Sequence, residues 1–502
     1  MSKLTDIESL AAAVPSGATI AVGGFQLSRV PVALLRALAA AGTRSLHTVS
    51  APNPFALEIL AAANALASAD CAFIGFQYED GFVIAPALRR GIAAGTIALR
   101  QRDVYETIQA LRAAAESGKP VADFALLHAQ RVDAEGNLSI DDPYVDVQLA
   151  HGSAAVLATA ETLVEHIAEP TIAAARVRGF ALVERGAAPT ACFRHYPRDV
   201  AGIRSQLGDA VPAAEVPSDT AGACTDTPGV DAFIVNMARQ VRNGEVIVTG
   251  LASATASLAI ELARATHAPA ARYINCVGAV NVRRARAVAT SVEPELLYHC
   301  DDTIDLPEIF DLARDGGVDA MFFGAAQIDA RGNINLTRIG PAARPKVRFA
   351  GPAGSPSMRS YVRRVLVSVP RQSPRNLVER VDTATSTPGA RNQETVLVTD
   401  LAIWHLQEGT FVPQSRTPGI DMERLSSHTG FSVTGAAPRP TPPPTEIELG
   451  ALRRIDPSGL RFRLLAATPS SRSTSKSSRT GNPDKPTPEN ATREDNPEMA
   501  IE

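Results

Sequence analysis

Along most of the chain, short apolar runs rich in β-branched and small residues alternate with longer stretches of helical periodicity. Leu4, Ile7, Leu10 and Ala11 recur at helical spacing within residues 1–14. Pro15-Ser-Gly17 then turns the chain into a buried strand, Ala18-Thr-Ile-Ala-Val22. Gly23-Gly24-Phe25 ends that strand, and a helix follows over Val32–Ala39. The alternation continues through a strand at Leu46–Ser50, a helix over Phe55–Ala67, the apolar run Ala72–Phe76 and a basic helix over Pro86–Gly95. Strands separated by helices of this length predict βαβ units around a mostly parallel sheet. Ala125–Ile140 reads as strand, tight turn and strand, because Asn and Gly at Asp133–Asn137 tolerate positive φ. Ala154–Thr159 and Thr171–Ala173 read as later elements of the same unit.

From about Ser205 to Gly229 the composition becomes small, polar and Pro/Gly-rich, as in a linker. The pattern then restarts. Gly17-Ala-Thr-Ile-Ala-Val-Gly23 is echoed by Gly244-Glu-Val-Ile-Val-Thr-Gly250, and Asp133-Ala-Glu-Gly-Asn137 by Asp329-Ala-Arg-Gly-Asn333. Two echoes in the same order predict two tandem, related open α/β domains. We expect an α-like domain over 1–204, a linker over 205–229 and a β-like domain over 230–466. The second domain continues with strands near Val347, Arg364–Val369 and Thr395–Asp400, a proline-rich run at 438–445 and a short helix over Thr445–Arg454. The Ser/Thr/Pro-rich segment 467–502 has too few apolar residues to offset its ordering entropy, and we expect a disordered tail.

Composition narrows the function classes. With 502 residues there is ample core for such domains, and a net charge of −4 without basic blocks gives no case for nucleic acid. No apolar stretch approaches the roughly 18–20 residues of a membrane span, and the start of the chain is acidic where a signal peptide is basic. Five cysteines without a CxxC pair argue against a disulfide framework and a structural zinc site, and place the chain in a reducing cytoplasm. His128, His267 and His299 show no metal spacing and read as ordinary polar residues.

The candidate chemistry lies where an open α/β sheet puts its ligands, beyond the carboxyl ends of strands. Asn275, Cys276 and Gly278 follow the short strand Arg272–Ile274. Cys276 is either a small core residue or a functional thiol, according to its pKa. Asn275 is either a strand-end hydrogen-bonder or a group that polarises a carbonyl. Gly351, Ala353 and Gly354 form a strand-to-loop turn whose amides could hold an oxyanion. Gly24 is a weaker version of the same idea. Asp103 and Glu106 precede a helix, where acids complement the dipole. Arg89 and Arg90 read as a solvated helix face.

Taken together, Val22-Gly-Gly-Phe25, Ala87-Leu-Arg-Arg-Gly-Ile92, Leu111-Arg112, the two Asp-x-x-Gly-Asn turns, Arg344-Pro-Lys-Val-Arg348, Gly351-Pro-Ala-Gly354, Thr399-Asp400, Pro418-Gly-Ile420 and Thr429-Gly-Phe431 resemble family I CoA-transferases, within them the glutaconate CoA-transferase branch. The resemblance covers roughly residues 5–460 and implies fused α and β halves with the active site between them. It implies an acyl-CoA substrate, with coenzyme A entering as part of the substrate and neither a permanently bound cofactor nor a metal. Fusion removes one subunit interface without excluding a homodimer.

The family's nucleophilic glutamate falls in an E-x-G context after the β-half strand, and placing Gly278 on that glycine puts Cys276 on the glutamate. No Asp or Glu lies between Glu261 and Glu293. Branches without the glutamate include ring-opening hydrolases with an acid in the α half, here near Asp103 or Glu106. They also include decarboxylases with a cysteine at this position, which the Cys276 register fits better. The expected function is therefore decarboxylation or other C–C cleavage of a dicarboxylyl- or enoyl-CoA. CoA transfer by a non-glutamate route, thioester or ring hydrolysis, and non-catalytic acyl-CoA binding are the alternatives.

Overall fold

The computed structural model describes residues 3–78, 81–208, 228–283, 288, 290–342, 344–435 and 437–466. Two sheets dominate it. Edge to edge, the first sheet runs Val177–Leu182, Ser153–Val164, Ala122–Asp133, Thr19–Val22, Leu46–Ser50, Leu66–Cys71 and Ala98–Arg100, all in parallel, with Leu138–Ser139 hairpinned onto Ala122–Asp133. The second has a parallel centre of Arg272–Ile274, Val246–Thr249, Ala320–Gly324, Arg364–Val369 and Glu394–Thr399, flanked by mainly antiparallel strands.

In both sheets the first strand lies between the strand after it and the one leading to the Asp-x-x-Gly-Asn turn. The turns are built alike. Asp133 accepts the Glu135 and Asn137 amides on one oxygen and the Asn137 side chain on the other. Asp329 does the same with Arg331 and Asn333. Gly136 and Gly332 take φ of 93° and 80°, where a side chain is disfavoured.

Four expectations change. The helix expected over Phe55–Ala67 is Pro54–Ala62, and Leu66–Cys71 is a strand beside Leu46–Ser50. Asn64 at φ 55° breaks the helix, and parallel pairing sets the conformation of the small residues that follow. Of the run Ala72–Phe76, only Gly75 and Phe76 are strand, in a hairpin of Gly75–Tyr78 with Gly81–Ile84. Thr171–Ala173 contributes only an isolated bridge between Ile172 and Leu138. The expected linker over 205–229 is helical at both ends, through Leu207 and from Pro228, and residues 209–227 lie outside the described residues, as does the tail.

Residues 1–467 form one compact unit, and one apolar core takes Ala21, Ala72 and Tyr105 from the first sheet's side together with Val248, Ile274 and Phe310 from the second's. Main-chain atoms stitch the two sides. Ile74 donates to the Ala350 carbonyl at 2.8 Å, Ala353 to Ala72 at 3.0 Å and Val104 to Ala353 at 3.0 Å. Around this seam the Tyr105 and Phe310 rings stack at 5.2 Å, and Asp311 binds Arg112 at 2.7 Å and accepts from the Tyr105 hydroxyl at 2.7 Å.

Gly351 makes the seam possible. At φ 119°, a Cβ there would lie 2.5 Å from the Ala72 carbonyl oxygen and 2.4 Å from the Gln101 amide nitrogen. The carbonyl is fixed backbone and cannot move aside cheaply. Gly351→Ala is expected to lower stability by about 1–3 kcal/mol or more, as overpacking of a close contact does. Denaturant unfolding against the wild type checks this, and an unchanged midpoint would show that the seam tolerates a side chain.

Candidate active site

The turn after Arg272–Ile274 is closed on itself. Asn275 Oδ1 accepts the amides of Val277 and Ala279, each at 3.1 Å, and its carbonyl accepts from Gly278 at 3.0 Å. Two acceptor contacts on one oxygen fix the side-chain amide orientation, leaving Nδ2 as a buried donor with no partner among the described residues. Such a donor is costly unless something accepts from it. Gly278, at φ 93°, sits so close to the Ile304 carbonyl that a Cβ would overlap it. Ile304 in turn donates to the Gly278 carbonyl at 2.9 Å.

Cys276 is 6% exposed, and its thiol donates to the Ser291 carbonyl at 3.6 Å. Burial pushes the thiol up to about 12, only partly offset by the Ser291 side chain. It is therefore a neutral donor near pH 7, not the thiolate through which nucleophilic cysteine chemistry runs.

Beside this turn lies a cavity of about 110 Å³ shared by the two sides of the molecule, lined among others by Asp141, Asp142 and Tyr144 from one and Val277, Ile304 and Asp305 from the other. Asp305 precedes the helix Leu306–Arg314, and its amide donates to Glu308 Oε2 at 3.1 Å. Asp305 is exposed as a residue, but partial desolvation of its carboxyl against the wall of the cavity, then the Glu308 and Asp146 carboxylates, push it up to about 6. Nothing in the sequence singles Asp305 out, because Asp305-Leu-Pro-Glu308 has the pattern of an ordinary helix cap.

Gly24 belongs to the Asp146 end of this region. Its amide donates to Asp146 Oδ1 at 3.0 Å, so it is already engaged. Asp146 and Asp142 flank the fully buried Arg29 at 2.6 and 2.7 Å, and Arg29 also donates to the His128 carbonyl. Burial raises Asp146 above the usual carboxylate range despite Arg29.

The remaining candidates gather at the seam. Asp103 caps the helix Val104–Ser117 through the Tyr105 amide at 2.7 Å and accepts from the hydroxyl and amide of Ser357 at 2.8 and 3.1 Å. Burial raises its pKa against those bonds. Both oxygens are in use, which suits a clasp between the two sides better than a free base. Glu106 is exposed in the first turn of the same helix, and Arg89 and Arg90 are exposed as expected. The Gly351 and Ala353 amides donate to Leu336 and Ala72, so neither is free for an oxyanion. Gly354 precedes the helix Ser355–Tyr361, and a Cβ there would lie 2.4 Å from the Phe310 ring. Phe310 and Asp305 belong to one helix and its cap, which links the seam to the Asn275 turn.

A family model described as coenzyme A transferase matches residues 230–427. The chain is 32% identical over 238 residues to a subunit of the 3-oxoadipate CoA-transferase of Pseudomonas knackmussii, covering 44% of this chain and 90% of that one. The decarboxylase AibA/AibB is 37% identical over 47% of this chain and 98% of its own, at a TM-score of 0.45. The acyl-CoA transferase YdiF apoenzyme from Escherichia coli O157:H7 shares the fold over 88% of this chain and 94% of its own, at a TM-score of 0.64 and 16% identity. The chain belongs to the coenzyme A transferase family and is an enzyme of that family.

The thiol chemistry can be checked directly. After brief iodoacetamide treatment at pH 7, peptide mapping is expected to find Cys276 unmodified, whereas the half-buried Cys300 reacts first among the four described thiols. Rapid labelling of Cys276 would reveal an accessible thiolate.

Proposed function

We propose that the chain decarboxylates, or otherwise cleaves a C–C bond in, a dicarboxylyl- or enoyl-CoA, using the Asn275–Gly278 turn at the junction of an α-like region over 1–204 and a β-like region over 230–466. The observation that carries this reading is that the turn holds a neutral thiol and an unpartnered amide donor, with no carboxylate to attack an acyl-CoA. Covalent transfer through an anhydride needs a carboxylate nucleophile. Decarboxylation needs a place for enolate charge and a proton for carbon.

The substrate carboxylate must sit on the carbon α to the thioester carbonyl, or on the saturated γ carbon of an α,β-unsaturated thioester. As the C–C bond breaks, its electron pair moves onto the thioester oxygen and CO2 leaves. Asn275 Nδ2 is the donor for that oxygen. Asp305 delivers the proton to carbon and regains one from solvent, while the Cys276 thiol stays protonated beside the departing carboxylate. Gly24, Gly278, Gly351, Ala353 and Gly354 act in this scheme through backbone shape, which sets the turn and the seam. Family membership favours a second reading, CoA transfer to a free acid by a route without a glutamate. Hydrolysis would fall to Glu106 or Asp103. The described cysteines are free thiols, in keeping with a cytoplasmic enzyme, and among the described residues no helix is long and apolar enough to cross a membrane.

A panel of dicarboxylyl- and enoyl-CoA thioesters, incubated with and without acetate and read by mass spectrometry, is expected to show loss of CO2 that does not depend on acetate. Acetyl-CoA formed only with acetate would establish transfer instead, and free CoA would establish hydrolysis.

The proton donor has a pH signature. A carboxyl that must be protonated, with a pKa of about 6, makes kcat/KM high below that pH and tenfold lower for each unit above it. Asp305→Asn is expected to lower the rate by roughly 10²–10⁴-fold and to remove this limb. An unchanged profile in Asp305→Asn would assign the proton to another group.

A further inference from the structure

Away from the Asn275 turn, a second group of chemistry-bearing side chains converges in the first sheet. His128 lies on the strand Ala122–Asp133, in register with Thr159 on the neighbouring parallel strand, and Glu161 is two residues further along that strand. Side chains two apart on a strand share a face. Cys192 comes from the loop beyond Val177–Leu182. Ligand atoms of His128, Glu161 and Cys192 all lie within 4.8 Å of one another. The three are almost wholly buried: His128 is 0% and Cys192 1% exposed, and the Glu161 side chain 5%.

We propose that His128, Glu161 and Cys192 form a divalent-metal site, suited to Zn2+, with its fourth position open to the adjoining cavity. One imidazole, one carboxylate and one thiolate are a donor set that Zn2+ accepts, and three protein ligands plus an open position are the pattern of a non-structural zinc site. The outer shell is in place. Thr159 Oγ1 holds His128 Nδ1 at 2.8 Å while Nε2 faces Glu161 Oε1 at 2.9 Å; the Tyr196 hydroxyl donates to that same oxygen at 2.5 Å, and the other Glu161 oxygen accepts the Arg185 amide at 2.7 Å. Fixing the distal ring nitrogen is how metal-bound histidines are oriented.

Charge points the same way. Near these ligands Arg29 is paired with two carboxylates, Asp142 and Asp146, and Glu161 adds a third negative group, so the buried region is short of positive charge. A metal ion takes the place of the Cys192 proton, which passes to solvent. Glu161 and the Cys192 thiolate then balance the two charges of the ion, and His128 stays neutral. Access is through a cavity of about 630 Å³ lined in part by Cys192, Tyr196 and Arg198 on one side and Glu293 and Tyr298 on the other. Without a metal the same atoms can be satisfied by protons alone, Thr159 donating to Nδ1 and Nε2–H donating to Glu161.

The test uses the full chain, stripped with EDTA and titrated with Co2+ in place of Zn2+. The expected result is one Co2+ per chain, with a thiolate-to-cobalt charge-transfer band in the near ultraviolet and the visible bands of a four-coordinate ion. Cys192→Ser should abolish the charge-transfer band, and Thr159→Val should weaken Co2+ binding by about 10–100-fold, as loss of an outer-shell partner does. Circular dichroism of both variants establishes that they fold. Absence of stoichiometric binding, or a charge-transfer band that survives Cys192→Ser, would overturn the site and leave His128 as a proton-satisfied core group.

Discussion

The arrangement depends on a close approach of two backbones. Where Ala350–Ala353 meets Ala72–Ile74, carbonyls and amides of the two sides bond directly, and Gly351 leaves no room for a side chain. Because main chain meets main chain, the two sheets cannot slide without breaking hydrogen bonds that water does not reach, and buried polar groups left unpaired are expensive. The seam therefore fixes where the helices at Val104 and Ser355 begin. Asp103 fastens one to the other, and Tyr105, Arg112 and Phe310 pack around it. With the seam set, the cavity beside Val277 and Asp305 has walls from both sides of the molecule.

A second constraint is electrostatic. Arg29 is sealed among Asp142, Asp146 and the His128 carbonyl, and burial raises Asp146 despite its ion pair with Arg29. Desolvation, helped by the Glu308 and Asp146 carboxylates, keeps the proton on Asp305 to about pH 6. Desolvation also keeps Cys276 protonated, without nearby carboxylates adding to it. Both effects push the site toward neutral acids and donors and away from an ionised nucleophile. The proposal of bond cleavage over covalent transfer rests on that character.

Much of the fold is legible in the sequence because its signals are local. The two Asp-x-x-Gly-Asn turns are written in five residues each, and the side chain of the first residue does most of the bonding. The strands at Thr19–Val22 and Val246–Thr249 are short apolar runs closed by glycine. Leu66 and Ala67 read as the end of a helix and Ser68–Cys71 as no element, because Ala, Ser and Asp carry no strand preference, and only the neighbour at Leu46–Ser50 makes the stretch a strand. The pairing of Gly75–Tyr78 with Gly81–Ile84 is missed in the sequence reading, although Asp80-Gly81 is a hairpin signal.

The same division holds for the site. By itself the sequence determined the alternation of strands and helices, the repeat, and the absence of any carboxylate between Glu261 and Glu293. It also determined which residues end the strand at Ile274, since these are facts of order along the chain. Tertiary structure alone decided which groups are spent and which are free. The Gly351 and Ala353 amides, attractive in sequence, are consumed by the seam, Asp103 is consumed by Ser357, and Asn275 keeps one donor. It also decided the protonation of Cys276 and Asp305 and the meeting of His128, Glu161 and Cys192. Proton affinity and hydrogen-bond occupancy depend on dielectric surroundings and on partners distant in sequence, and neither is encoded in a residue and its immediate neighbours.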